Sequence, residues 1–371
     1  MGSSLETTFV QIGNRSDEVT GAVNPPVYLS TAYAHGGIGE STGYDYTRTK
    51  NPTRAVLEEG FAKLEKGDRA FACSSGMAAI QLVLSLFRSG DSLLVPEDIY
   101  GGTYRLFDFY SESYGVTPIY APFRTVGETA AMITDETKAI FLETPTNPLM
   151  QEIDMDAYAQ LAKAHGLLLI VDNTFLTPYL QQPITHGADI VIHSATKYIG
   201  GHNDVLAGLV VSKGVELSER LSVLHNGIGA VLSPLDSWLL IRGLKTLPLR
   251  MRQHQTNAKR IAAYLKEQPK VEDVLYAGKG GMLSFRVKDS KWVDPFLRSL
   301  KTITFAESLG GVESFITYPT TQTHADIPLE EREARGICDR LLRFSVGIEE
   351  ADDLIGDLQQ AFQRVDQEVI L

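Results

Sequence analysis

The sequence predicts an α/β protein: a large, doubly wound domain with a mostly parallel sheet, then a smaller α+β domain at the C-terminal side. Three observations predict it. Short, continuous apolar runs alternate with helical stretches through the first two thirds of the chain. The texture changes after one long helical stretch. Residues suited to chemistry recur where the apolar runs end.

Residues 1–50 are rich in Gly, Thr, Tyr and Pro and lack periodicity, so they read as an extended arm. A helix is expected over 53–66, with Gly67 as its stop. Apolar runs follow at 69–73, 92–95, 116–120, 138–142, 167–171, 189–193 and 206–211. Runs of this length between helices fit strands buried on both faces. Residues 51–234 are therefore assigned to the large domain. Residues 235–268 read as helical, starting near Ser233-Pro234, with a kink expected at Pro248. Strands at 271–276, 282–287 and 342–346 and a closing helix at 351–365 make residues 235–371 the smaller domain.

Composition narrows the function. The chain has 371 residues, of which 43% are hydrophobic, enough to bury a large core. A net charge of -12 disfavours nucleic acid and anionic membranes as partners, though not a small anion in a local basic pocket. Cys73 and Cys338 make neither a disulfide framework nor a zinc site, which fits the cytoplasm. The histidines show no metal-ligand spacing, so no metal is expected. No signal peptide and no apolar run of roughly 20 residues is read.

Four segments carry chemistry. Ser74-Ser75-Gly76-Met77 joins a strand to a helix, where free N–H groups can seat a phosphate; alone, it is equally a serine cap. Tyr100 follows the second run and can stack on a planar ring or exchange a proton. Asp172 ends an apolar run, where it can pair with a protonated ring nitrogen; alone, it reads more readily as a turn residue. Lys197, in Ser194-Ala195-Thr196-Lys197, stands just past another run, where a charge must be neutralised or desolvated. A Schiff base removes that cost. In this order the four supply the anchor, stacking partner, nitrogen partner and amine that pyridoxal 5'-phosphate requires.

At these residues the sequence resembles the Cys/Met-metabolism family of pyridoxal phosphate enzymes, of fold type I (aspartate aminotransferase-like). The matching segments are YDYTRTKNPT (44–53), SSGMAAI (74–80), YGGTYRLF (100–107), ETPTNPL (143–149), VDNTF (171–175), HSATKYIGGH (193–202), AESLGGVESF (306–315) and LRFSVGIE (342–349). They span nearly the whole chain.

The resemblance implies Lys197 as the cofactor's lysine, Asp172 as its nitrogen partner and Tyr100 as the ring-stacking residue that activates the incoming amine. Gly76, Met77, Ser194 and Thr196 match phosphate-binding positions. Arg343 and Ser308 match holders of the substrate α-carboxylate, with Asn147 near that carboxylate and a cofactor oxygen. Tyr46 and Arg48 match a pair reaching the phosphate of a neighbouring subunit, implying a homotetramer of two active dimers with shared sites. Asp45, Arg105, Glu307 and Gly102 resemble members that act at Cγ, with the first three, and Arg48, as candidates for the distal groups of the substrates. The implied activity is a transferase step of methionine biosynthesis on small amino-acid substrates. It replaces the acyl group of an O-acyl-L-homoserine by L-cysteine or sulfide. Cleavage of cystathionine at its γ or β side is the alternative. A nicotinamide oxidoreductase is disfavoured because no GxGxxG turn follows an early strand.

Overall fold

The computed structural model describes residues 3–368 except residue 326. Among the described residues the strands form two sheets. The larger contains β1 (Arg69–Cys73), β2 (Ser92–Pro96), β3 (Thr117–Ala121), β4 (Thr137–Glu143), β5 (Leu168–Asp172), β6 (Ile190–Ser194) and β7 (Gly208–Ser212), in the order β1-β7-β6-β5-β4-β2-β3. Only β7 opposes its neighbours; every other pairing in this sheet is parallel. The carboxyl ends of six strands thus lie along one edge, where open α/β sheets bind ligands.

Several strands run about one residue further than the apolar runs suggest. As a result Asp172 and Ser194 are the last residues of their strands rather than turn residues. The ladder fixes both: Asp172 stands opposite Ile192, and Ser194 opposite Gly208.

Each sheet face packs on helices. Leu57 and Phe61 of the Pro52–Glu65 helix cover one face, with Leu161 and Leu244. Ile80, Val83, Phe107 and Leu221 cover the other. The Pro52–Glu65 helix starts on Asn51, whose side chain accepts the N–H groups of Thr53 and Arg54. It ends with Lys66 in the left-handed region, so Gly67 is not itself the left-handed stop. Gly67 is needed for space, because a Cβ there would lie 2.2 Å from Val211 Cγ1.

The Pro234–Lys266 helix runs on through Pro248. Its buried residues recur at spacings of four and three: Leu240, Leu244, Leu247 and Met251 join the large-sheet core. Ala258, Ile261 and Leu265 join the core of the second sheet. A fully buried leucine or isoleucine contributes about 1.5–3 kcal/mol, so this stripe offsets the roughly 3 kcal/mol that an interior proline costs.

The second sheet contains β8 (Val271–Leu275), β9 (Met282–Val287), β10 (Thr304–Phe305), β11 (Phe315–Thr317) and β12 (Leu341–Ser345), in the order β10-β11-β12-β9-β8. β10 and β11 have two and three residues and were not expected; segments so short show no period. The Ala351–Glu368 helix closes this core through Leu354, Leu358 and Phe362. Among the described residues no helix is long and apolar enough to cross a membrane.

The arm departs from the extended reading at its start. Leu5–Val10 is helical, because Ser4 caps it and Phe9 and Ile12 are buried in the large core. From Gly13 onward the apolar side chains of Val19, Val23, Leu29 and Ile38 face solvent.

Arg335 joins the second sheet's side of the molecule to the large sheet. Its guanidinium lies 5.1 Å from the ring of Tyr104 and 5.5 Å from that of Tyr120. It donates to Glu97 O at 2.7 Å and pairs with Glu331. Losing a buried charged donor and a cation–π contact costs about 1–3 kcal/mol. Arg335→Ala is therefore expected to lower the urea midpoint of unfolding, and an unchanged midpoint would remove this clamp from the account.

Candidate active site

The site forms where the strand ends of the large sheet meet β12 and the turn before β11. The cavity there has a volume of about 190 Å³ and opens to solvent. Each wall has a local cause.

After β1 the chain turns into the Gly76–Leu84 helix, capped by Ser75, whose Oγ accepts the Ala78 N–H at 3.0 Å. The first intrahelical bond belongs to Ala79, so the N–H groups of Gly76 and Met77 precede the ladder at the positive end of the helix. The serine cap thus leaves the helix-end N–H groups of Gly76 and Met77 outside the ladder. Gly76 is required for space: a Cβ there would lie 2.8 Å from Ser194 Cβ.

Asp172 is fixed by Thr174, whose N–H and hydroxyl both donate to Oδ1, at 3.0 and 2.6 Å. The same hydroxyl accepts the Ser194 N–H at 2.8 Å, which ties the ends of β5 and β6 together. Burial pushes the Asp172 carboxyl up from its usual range, while Thr174 and the nearby His193 pull it down.

Lys197 sits on a pinned turn. Its N–H donates to Ser194 O at 3.2 Å, and its carbonyl accepts the Gly201 N–H at 2.8 Å. The Thr196 hydroxyl exchanges hydrogen bonds with the backbone of Ala207, at 3.1 and 3.0 Å. Gly310, with φ +76°, lets the following wall approach: a Cβ there would lie 2.6 Å from Tyr198 N. Burial and then the Arg343 charge push the Lys197 amine down to about 8, against the pull of Glu307.

Tyr100 precedes the Gly101–Tyr114 helix and donates its N–H to Glu143 Oε2 at 3.0 Å. Its ring lies over Gly102, where a Cβ would approach Cε1 to 2.5 Å. Burial raises the phenol's pKa, opposed by Arg105 and Arg343.

Arg343 comes from β12 and is fully buried against the opposite wall. Nη1 donates to Asn147 Oδ1 at 3.1 Å; Nη2 donates to Thr317 Oγ1 at 3.1 Å and to Ser308 O at 3.3 Å. Burial lowers its pKa to about 10, so it remains charged at neutral pH.

The cavity thus gathers Gly76, Met77, Tyr100, Asn147, Asp172, Ser194, Thr196, Lys197, Glu307, Ser308 and Arg343. Four expected residues do not line it. Asp45 pairs with His35 at 3.0 Å, and Tyr46 is half exposed. Arg48 donates to Asn226 Oδ1 at 2.8 Å. Arg105 is exposed, near enough to Tyr100 to act on its phenol. Glu143 and Thr174 line the cavity and were missed. Glu143 carried the same signal as Asp172, a carboxylate ending an apolar run. Thr174 gave no signal, because a turn threonine is commonplace.

This arrangement fits a phosphorylated aromatic aldehyde. Helix-end N–H groups face one end, a carboxylate without an ion-pair lysine stands in the middle, and a desolvated amine lies beside it. The guanidinium opposite suits a carboxylate of a second ligand.

Comparison with known proteins agrees. The family model described as Cys/Met metabolism PLP-dependent enzyme matches residues 6–363. A Bacillus subtilis protein named cystathionine gamma-synthase/O-acetylhomoserine (thiol)-lyase is 64% identical over 365 residues, 98% of each chain. A cystathionine gamma-lyase of the same organism is 48% identical over 376 residues, 97% of this chain and 99% of the relative. The crystal structure of cystathionine gamma synthase from Xanthomonas oryzae pv. oryzae in complex with aminoacrylate and cysteine superposes with a TM-score of 0.96 at 41% identity. It covers 99% of this chain and 100% of that one.

Proposed function

The chain belongs to the Cys/Met metabolism PLP-dependent enzyme family, and on that premise we propose that it makes L-cystathionine from L-cysteine and an O-acyl-L-homoserine, acetyl or succinyl. Sulfide in place of cysteine gives homocysteine. The observation that carries this reading is the 64% and 63% identity, over 98% and 97% of this chain, to two relatives named as cystathionine gamma-synthases, against 48% to a lyase-named one.

When bound, pyridoxal phosphate supplies an electron sink that acidifies the bonds of the substrate's Cα. The chain's own residues do the rest. Gly76, Met77, Ser194 and Thr196 would hold the phosphate, and Asp172 would hold the ring nitrogen protonated. Tyr100 would stack on the ring and take a proton from the incoming amine. Lys197 would anchor the cofactor, and its amine would move protons at Cα and Cβ. Arg343 and Ser308 clamp the α-carboxylate beside Asn147, which keeps the reacting bonds aligned. Glu307 and Arg105, with Asp45 and Arg48, read the distal groups. The Cγ–O bond breaks and the acyloxy group leaves as its carboxylate, and the sulfur of cysteine, giving up its thiol proton, bonds to the same carbon.

The amine must be neutral to bond the cofactor. With Lys197 near 8, uptake of pyridoxal phosphate by the cofactor-free chain is expected to rise with pH and level off above it. The rise is about tenfold per unit well below that value. Stopped-flow absorbance measures this; a rate flat from about pH 6 to pH 9 would contradict it.

The arm extends the proposal to a homotetramer with shared sites. Its exposed Val19, Val23, Leu29 and Ile38, and the half-exposed Tyr46, suit burial against a second copy. Two unpaired cysteines, Cys73 buried and Cys338 partly so, support a reducing cytoplasm.

The test crosses O-acetyl- and O-succinyl-homoserine with cysteine and with sulfide, and identifies products by mass spectrometry. Cystathionine in a cysteine arm supports the proposal. 2-Ketobutyrate or pyruvate released from cystathionine, with no cystathionine made from any pair, would overturn it in favour of cleavage.

A further inference from the structure

Glu143 is a buried carboxyl on the cavity wall that the chemistry above leaves unused. It is the last residue of β4 and stands opposite Asp172, the last residue of β5, in a parallel register. Neighbouring strands lie about 4.8 Å apart and paired residues point to the same face. Two carboxyl groups therefore enter the site side by side. Only one of them receives hydrogen bonds from Thr174. The other, Glu143, accepts the N–H of Tyr100 at 3.0 Å. Tyr100 starts its helix without a side-chain cap, so this contact helps fix where its ring enters the cavity. One side chain thus touches the segment carrying the stacking ring and borders the carboxylate that meets the ring nitrogen.

We infer that Glu143 is a positioning residue of this site, a neutral carboxyl whose oxygen anchors Tyr100 and whose lack of charge leaves Asp172 as the charged member of the pair at the ends of β4 and β5. The inference rests on the reading of Asp172 and Tyr100 given above. Two adjacent carboxylates away from water do not both ionise at neutral pH. Burial, the Asp172 charge and the nearby Asp98 raise the Glu143 pKa well above its usual range. The Tyr100 N–H and the Arg343 charge oppose them without reversing the direction. Asp172 holds the charge because Thr174 solvates it twice and His193 lies close. A bound pyridinium adds to that preference.

The two functions of Glu143 separate by substitution. Glu143→Gln keeps the shape and the acceptor oxygen and cannot ionise. Glu143→Ala is equally neutral and removes the acceptor. Three quantities are read on the holoenzyme and its reconstituted apo form. They are kcat and KM, the dissociation constant for pyridoxal phosphate by spectral titration, and the pH midpoint of the cofactor's visible band. Glu143→Gln is expected to stay within about threefold of the native protein in kcat and cofactor affinity, with the band's midpoint unmoved. Glu143→Ala is expected to lose roughly tenfold to a hundredfold in kcat, the range set by one buried N–H left unpaired, with a smaller effect on KM.

A Gln variant as impaired as the Ala variant, or with a shifted midpoint, would mean that the charge is needed and would overturn the inference. So would an Ala variant equal to the native protein. If the Ala variant does not fold, the Gln variant decides alone: native values support the inference, and a tenfold loss overturns it. A native protein that binds no pyridoxal phosphate would refute the reading of the site itself, and this inference with it.

Discussion

Lys197→Ala is expected to abolish turnover and the visible absorbance of the lysine-bound cofactor together. The amine has two tasks in the proposed reaction. It holds the cofactor covalently, and when released it carries protons. The second alone is worth about 10²–10⁴-fold in rate, and the first adds to it. The structure says why no neighbour can substitute: the Lys197 turn is pinned by Ser194 O and the Gly201 N–H, and among the described residues no other lysine lines the cavity. The phosphate seat and Asp172 stay intact in this variant, so pyridoxal phosphate is expected to bind still, with the spectrum of the free aldehyde. Absorption spectra before and after dialysis check this. A Lys197→Ala protein that keeps the bound band, or turns over, would remove the lysine from its place in the site.

Arg343→Ala is expected to act on the amino acid rather than on the cofactor. The guanidinium is buried and held from the sides by Asn147, Ser308 and Thr317. It makes no ion pair with a described carboxylate, which leaves its charge for an incoming one. Truncating one partner of a buried, hydrogen-bonded charge pair costs about 2–5 kcal/mol, or roughly 30-fold to several-thousand-fold in kcat/KM. Most of the loss should fall on KM for the acyl-homoserine. The cofactor band should keep its intensity, which separates lost recognition from misfolding. Arg343→Lys keeps the charge and loses the planar fork, so it should recover only part of the loss. Unchanged kinetics in either variant would take Arg343 out of the substrate site.

The large sheet was legible because its strands are buried on both faces and so appear as unbroken apolar runs. The same burial made Asp172 and Lys197 conspicuous, since a polar residue ending such a run has to be explained. Glu143 offered the same clue, but a Thr-Pro follows it and the segment reads as an ordinary turn. The short strands β10 and β11 were not legible, because two or three residues carry no period. The long helix expected over 235–268 continues through Pro248 because both flanks are buried in shared cores. Arg48 and Tyr46 were read from resemblance alone. Within one chain they stay outside the cavity, Arg48 on Asn226 and Tyr46 half exposed, so the role proposed for them requires a second copy.

The central claim is that this chain carries pyridoxal phosphate on Lys197, at the strand-end edge of the large sheet. Borohydride reduction of the holoenzyme followed by peptide mass mapping tests it most directly, because reduction makes the bond to the cofactor permanent. The expected result is a phosphopyridoxyl group on the peptide containing Lys197 and on no other. A modified peptide lacking Lys197, or no modified peptide from a protein that binds the cofactor, would contradict it.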